Sequence, residues 1–181
     1  MPIVIQRFVL TSLTETQDDG GVCRSTFAWS VTGASGITVQ ILRDGDPILN
    51  NGQPSGSFAD PFAPGNWTYV LRAIHGPTGQ SVDSDNIDIS PICIRSFTAT
   101  PNGCAGVGLA WNIDGVATGS ISITRNGTPL TIPGGNSLPA RNDGSMTDFW
   151  TGGSITYRLR ASVGGRTVDF QPPAIANFCI T

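Results

Sequence analysis

The residues of this chain that could do chemistry are four cysteines, one histidine and a short run of aspartates. Cys23 lies six residues before Trp29, and Cys104 lies seven before Trp111. Cys93 follows in PICI and Cys179 in NFCI. There is no Cys-x-x-Cys and only one His, so the usual structural zinc site lacks its ligands. The chemistry these thiols suggest is crosslinking, with four free buried thiols as the alternative. His75, in AIHGPTG, has no second His for a metal and no Ser or Cys motif for a triad, and reads as a solvated turn residue. Asp83, Asp85 and Asp88, in VDSDNIDIS, are the one acidic cluster that could offer oxygens to Ca²⁺. Alternate strand positions spread along one face, and neither the glycine nor the terminal glutamate of a calcium loop is present, so the expectation is a polar solvent face. No Gly-rich loop opens a helix, which leaves phosphate binding without context. The chain is expected to be non-enzymatic, with no cofactor and no metal.

The elements that position these residues come from an internal repeat. FAWSVTGASGITVQILRDGDPI matches GLAWNIDGVATGSISITRNGTPL, aligning Trp29 with Trp111, Arg43 with Arg125, Gly45 with Gly127 and Pro47 with Pro129. GSFADPFAPGNWTYVLRA matches GSMTDFWTGGSITYRLRA without a gap, aligning Gly56, Asp60, Tyr69 and Arg72 with Gly144, Asp148, Tyr157 and Arg160. The local patterns alternate with period two: Ile37, Val39 and Ile41 in one copy, Ile121 and Ile123 in the other. Asp44-Gly45 and Asn126-Gly127 are hairpin signals, because both residue types tolerate positive φ. Shared Trp and Tyr at fixed register read as core plugs of a thin sandwich. The fold class expected is all-β, two tandem immunoglobulin-like β-sandwich domains, residues 1–92 and 93–181.

The repeat also selects among the three pairings that four cysteines allow. It predicts Cys23 with Cys93 and Cys104 with Cys179, one bridge per copy. Loops of about 70 residues would contribute about 4 kcal/mol each in the chain-entropy model. Such bridges imply a setting outside a reducing cytosol.

Composition agrees. All ten basic residues are Arg, and Glu15 is the only glutamate beside twelve Asp. Lys and Glu, which usually furnish exposed helix faces, are nearly absent. With 23 Gly and 13 Pro the chain favours turns and short strands. A net charge of −3 without a basic stripe argues against nucleic acid as partner. No run reaches the length of a membrane span, so no membrane insertion is expected. The N-terminal MPIVIQRFVLTSL reads as a first strand rather than a signal peptide.

Trp29-Ser30-Val31-x-Gly33 and Thr68-Tyr69-x-Leu71-x-Ala73 resemble the core strands of bacterial and phage immunoglobulin-like, fibronectin type III-like repeats. The second copy departs at Asn112 and Ile113 but keeps Gly115. The resemblance implies the fold over most of both copies. For function it implies a structural or interaction role. Such modules serve as spacers, adhesins, carbohydrate-binding appendages and virion decorations, so the expectation is a capsid decoration or tail-associated component or another extracellular assembly protein. The alternative is a secreted adhesin or carbohydrate-binding module. The partner would be a protein of a capsid, tail or cell surface, or a surface glycan, with homo-oligomerisation as a further option, and the location extracellular or on a virion. The contact candidates are loop aromatics that the repeat does not match: Phe58, Phe62 and Trp67 in the first copy, Phe149 and Trp150 in the second.

Overall fold

The computed structural model describes residues 2–15, 23–61, 65–115, 118–138, 141–149 and 153–176. The chain divides into two compact units. Unit 1 comprises Met1–Thr14, Cys23–Phe62 and Asn66–Ile89; unit 2 comprises Glu15–Val22, Ala63–Gly65 and Ser90–Thr181.

In unit 1, β1 (Val4–Thr14), β2 (Arg24–Thr32) and β5 (Ser55–Pro61) form one antiparallel sheet in the order β1-β2-β5. β3 (Ile37–Arg43), β4 (Asp46–Gly52), β6 (Trp67–His75) and β7 (Gln80–Asp83) form the other in the order β4-β3-β6-β7, and β8 (Ile87–Ile89) also pairs with β6. Unit 2 repeats the plan. β9 (Cys93–Pro101), β10 (Val107–Asp114) and β14 (Arg141–Asp148) form the sheet β14-β10-β9. β11 (Gly119–Arg125), β12 (Thr128–Leu130), β15 (Tyr157–Val163) and β16 (Arg166–Phe170) form β12-β11-β15-β16, with β13 (Ser137–Leu138) paired to β11. This is the two-sheet, all-β arrangement of tandem immunoglobulin-like, fibronectin type III-like sandwiches.

Period two decides which side chains meet. On β3, Ile37, Val39 and Ile41 are buried while Thr38 and Gln40 are half-buried, and the inner faces of both sheets supply one core that includes Phe27, Trp29, Tyr69 and Leu71. In unit 2 the equivalent cluster holds Leu109, Trp111, Ile121, Ile123, Tyr157 and Leu159. Both tryptophans are core residues, 6% and 5% exposed, as the repeat required. Each faces a cross-strand glycine, Trp29 opposite Gly56 and Trp111 opposite Gly144. A Cβ on Gly56 would lie 3.0 Å from the Trp29 ring, and one on Gly144 would overlap the Trp111 ring. The shared Gly-Ser pair is therefore space left for the indole.

Both hairpins predicted from Asp-Gly and Asn-Gly form. Arg43 pairs with Asp46, and Arg125 with Thr128. Asp44 and Gly45 have φ of 50° and 90°, Asn126 and Gly127 of 47° and 83°, the positive values that a two-residue primed turn demands.

Candidate functional site

Two polar networks recur at the same register in both units. In unit 1, Asp60 on β5 faces Arg43 on β3 and Tyr69 on β6, so it reaches from one sheet to the other. Arg43 Nη1 and the Tyr69 hydroxyl both donate to Asp60 Oδ2, each at 2.8 Å. In unit 2, Arg125 Nη1 donates to Asp148 Oδ1 at 2.6 Å and the Tyr157 hydroxyl to Oδ2 at 2.8 Å. Both aspartates are buried. Burial, then the bond to its aspartate, pushes each tyrosine well above its ordinary value. A buried acid, a guanidinium and a phenol can resemble a catalytic set, but here the guanidinium and the phenol both donate to the one aspartate. The arrangement clamps sheet to sheet. Tyr69 and Tyr157 were legible as core; their Asp and Arg partners were visible only as unexplained identities.

The second shared network is on the surface. Arg72 makes a two-pronged ion pair with Asp83, its cross-strand neighbour, at 2.8 Å on both prongs. Arg160 does the same with Asp169, at 2.8 and 3.0 Å. Asp83 is thereby spoken for, and its guanidinium partner holds it below the usual carboxylate range. Asp88 accepts from Thr68 Oγ1 at 2.7 Å, while Asp85 is exposed between β7 and β8. Asp83, Asp85 and Asp88 thus do not form an acidic nest, and among the described residues no three His, Cys, Asp or Glu side chains gather as a metal would need. Asp169 is the counterpart of Asp83 in the second unit, which has no counterpart of the other two aspartates.

His75 is not a free turn residue. Its Nδ1 lies 2.7 Å from Thr78 Oγ1 and its Nε2 3.1 Å from the Ser35 carbonyl. The carbonyl can only accept, so Nε2 carries the proton and Nδ1 accepts from the threonine hydroxyl. The ring fastens the turn after β6 to the turn before β3.

Cys23, Cys93 and Cys104 are disulfide-bonded, and no described cysteine is free. Cys179 lies outside the described residues.

The contact candidates divide. Phe58 and Trp67 are half-buried against the unit 1 core, and the Arg43 guanidinium lies 4.8 Å from the centre of the Trp67 ring. Phe149, at the end of β14, is 80% exposed. Phe62 and Trp150 lie outside the described residues.

A feature that aromatic counting missed is the open side of each sandwich. Among the described strands β1 pairs only with β2 and β9 only with β10, and the start of β9 takes one further backbone bond, from the Ile94 N–H to the Glu15 carbonyl at 2.8 Å. Opposite each, the last strand is interrupted. In unit 1, β7 and β8 pair with successive parts of β6. Between them Ser84 still bonds to Leu71 of β6: its N–H donates to the Leu71 carbonyl at 2.9 Å and its hydroxyl accepts from the Leu71 N–H at 3.0 Å, and the ladder is broken at Asp85 and Asn86. In unit 2, β16 ends at Phe170, and the chain rejoins the sheet at Ile175, which pairs with Ile155. A cleft opens at each interruption. That of unit 1, about 500 Å³, lies between Ile3–Phe8 and Val82–Ile87. That of unit 2, about 710 Å³, lies between Phe97–Pro101 and Pro172–Ala176. Three large hydrophobics are notably exposed among the described residues, and two of them, Val4 and Val82, line the first cleft. Each edge strand is bulged at one equivalent place. The bulged residues there are Gln6 and Arg95, β1 having a second bulge at Thr11, and Arg95 turns back to an ion pair with Asp114. Bulges blunt an edge against indiscriminate pairing, and they leave Arg7–Leu10 and Ser96–Pro101 as the regular runs.

No protein-family model matches the chain, and no curated protein matches it in sequence. Similar solved structures are arrays of such modules. They include the central fibronectin-III array of RIM-binding protein, at 10% identity and TM-score 0.35 over 92% of this chain and 67% of that one. A chimeric titin Z1Z2-Z1Z2 tandem matches at 18% and 0.35 over 99% and 100%. The fibronectin(III)-like modules of Clostridium thermocellum CbhA match at 11% and 0.32 over 98% and 95%.

Proposed function

We propose that this chain is a non-enzymatic adhesive module of an extracellular or surface setting, which docks an extended segment of a protein partner along the open edges of β1 and β9. The observation that supports this most directly is a cleft beside the edge strand of each unit, at Ile3–Phe8 in unit 1 and, displaced along the strand, at Phe97–Pro101 in unit 2. Main-chain groups on an unpaired edge give affinity, and alternate side chains of the added strand fill the cleft. The disulfide-bonded cysteines support an oxidising setting, and we pair them as the repeat does, Cys23 with Cys93 and Cys104 with Cys179. No helix among the described residues is long and apolar enough to cross a membrane. A virion surface is one narrower setting of the same reading.

The test is selection of displayed peptides against the full chain, followed by Val82→Lys in the first cleft and Ala174→Lys in the second. Both positions are exposed, so melting should stay unchanged. The expected result is ligands of alternating apolar and polar pattern that weaken at least tenfold on one or both variants. Ligands indifferent to both would refute edge docking.

A second reading is favoured by Phe149, a large ring left 80% exposed at a loop. Binding on a glycan array that disappears with Phe149→Ala would move the contact surface to that loop and support the carbohydrate-binding alternative.

A further inference from the structure

The two copies differ most in chemistry on the solvent face of their second sheets. In unit 1 the corresponding positions of β3 and β6 are Gln40, Leu42, Val70, Arg72 and Ile74, of which Leu42 is buried and Val70 and Ile74 are half-buried. In unit 2 the same positions are Ser122, Thr124, Arg158, Arg160 and Ser162. Cross-strand pairing puts Thr124 beside Arg158 and Ser122 beside Arg160. On the far side, Asp169 pairs with Arg160, and the Ser162 and Thr167 hydroxyls meet at 3.1 Å. The face is a grid of hydroxyls, guanidinium groups and one carboxylate, with no aromatic platform.

Within that grid the two arginines are not equivalent. Arg160 is bound on two prongs by Asp169. Arg158 has no ion pair and no side-chain hydrogen bond among the described residues, and the acid whose charge it feels is that same, already engaged, Asp169. Two shallow concavities of about 200 Å³ each flank it and share Thr124, Gly127 and Arg158. One adds Ser122 and Arg160, the other Thr156, Tyr157 and Gln171. Arg158, Arg160 and Asp169 leave a local charge of +1 on a chain whose net charge is −3.

The geometry points to Arg158 as the anchor of a carboxylate-binding subsite on the open face of unit 2, with Ser122, Thr124 and Gln171 placed to bond the polar groups of the ligand beside its carboxylate. A planar guanidinium with free donors matches a carboxylate on two prongs, which a lysine does not. Neighbouring hydroxyls and an amide both donate and accept, as recognition of a hydroxyl-rich ligand requires. The ligand class is a small carboxylated unit, either a uronic-type sugar or an acidic peptide side chain. This site is separate from the edge clefts and does not depend on the docking proposed there.

The experiment is an NMR titration of the isotope-labelled full chain with sodium glucuronate at constant ionic strength, with glucose as the neutral control and N-acetylaspartate amide as the peptide-type carboxylate. Glucuronate should shift the amides of Ser122, Thr124 and Arg158 in a saturable way, and glucose should not. Arg158→Val, which installs the first copy's residue, should weaken binding at least tenfold with the fold intact. Arg158→Lys should lose most of it. N-acetylaspartate amide binding as tightly as glucuronate assigns the carboxylate to a peptide source; weaker binding assigns it to a sugar. Equal shifts with glucose, shifts no larger than those from sodium chloride, or binding unchanged in Arg158→Val would each overturn the assignment. Edge-docking ligands should be indifferent to Arg158→Val, so failure here leaves the docking reading standing and the reverse.

Discussion

Asp148→Ala is the sharpest probe of how the sandwich is held together. The carboxylate accepts from Arg125 at 2.6 Å and from Tyr157 at 2.8 Å, and it is 8% exposed. Removing one member of a buried ion pair costs about 3–5 kcal/mol, much of it the penalty of the stranded partner. Arg125 is 24% exposed and regains some water, which places the expectation at the low end, about 3 kcal/mol. Tyr157→Phe removes a single hydrogen bond to a charged acceptor and leaves Arg125 in place, so about 1–2 kcal/mol is expected. For a domain of about 90 residues each kcal/mol shifts the melting midpoint by about 4–8 °C, which gives about 12–24 °C for Asp148→Ala. Calorimetry of the full chain with its disulfides intact measures both, and the unit 2 transition alone should move. If the groups act as one network, the double variant costs less than the sum by about 1–2 kcal/mol. An Asp148→Ala loss under 1 kcal/mol, or strict additivity, would refute the clamp.

Further outcomes follow from the same geometry. Gly144→Ala forces a methyl group into the Trp111 ring and should cost about 1–3 kcal/mol, with Gly56→Ala milder because its Cβ only grazes Trp29 at 3.0 Å; thermal melts and the near-ultraviolet tryptophan signal report both. Asn126→Asp should change stability by less than about 0.5 kcal/mol, since Asp44 already plays that part in unit 1. Each side chain accepts from a backbone N–H at 2.8 Å, Thr156 and Thr68 respectively, and Asn126→Ala, which removes the acceptor, should cost about 1 kcal/mol. Tyr69 and Tyr157 are raised above the ordinary phenol value near 10 by burial first and their aspartates second, so their contribution is whole below about pH 10 and is lost as pH rises beyond it. Alkaline unfolding curves of Tyr69→Phe/Tyr157→Phe should be correspondingly flatter than wild type. Non-reducing peptide mapping should return Cys23–Cys93 and Cys104–Cys179 peptides; any other pairing would overturn the one taken from the repeat.

What could be read from the sequence was what repeats in short windows. Alternation gave the strands, Asp-Gly and Asn-Gly gave the hairpins, and the matched Trp and Tyr gave the core. What escaped involved residues far apart in sequence that meet only when two sheets stack. Arg43, Asp60 and Tyr69 are spread over 27 positions on three strands, so their identity in both copies was plain and its reason was not. Gly56 has the same history: its purpose is visible only with Trp29 across from it. Asp83 was legible only as part of a polar face, because its partner, Arg72, lies eleven residues upstream on the neighbouring strand. The matching Arg160 and Asp169 pair in the second copy was the signal that could have found it.

The repeat thereby sorts the polar residues into those the fold needs and those it does not. Arg43, Arg72, Arg125 and Arg160 each have an aspartate at the same register in both units, so their charges are committed to the sandwich. Arg158 occupies a position where the first copy keeps Val70, and the fold evidently stands without a cation there. A guanidinium that one copy does without and that no described acid claims cannot be explained by packing. The edge clefts are a different case: each unit has one beside its edge strand, at a different point along it, and Val4 and Val82 are exposed apolar side chains of the first. The edge docking and the Arg158 subsite proposed above are separated by the Val82→Lys and Arg158→Val variants, because both positions are exposed and neither change touches the core.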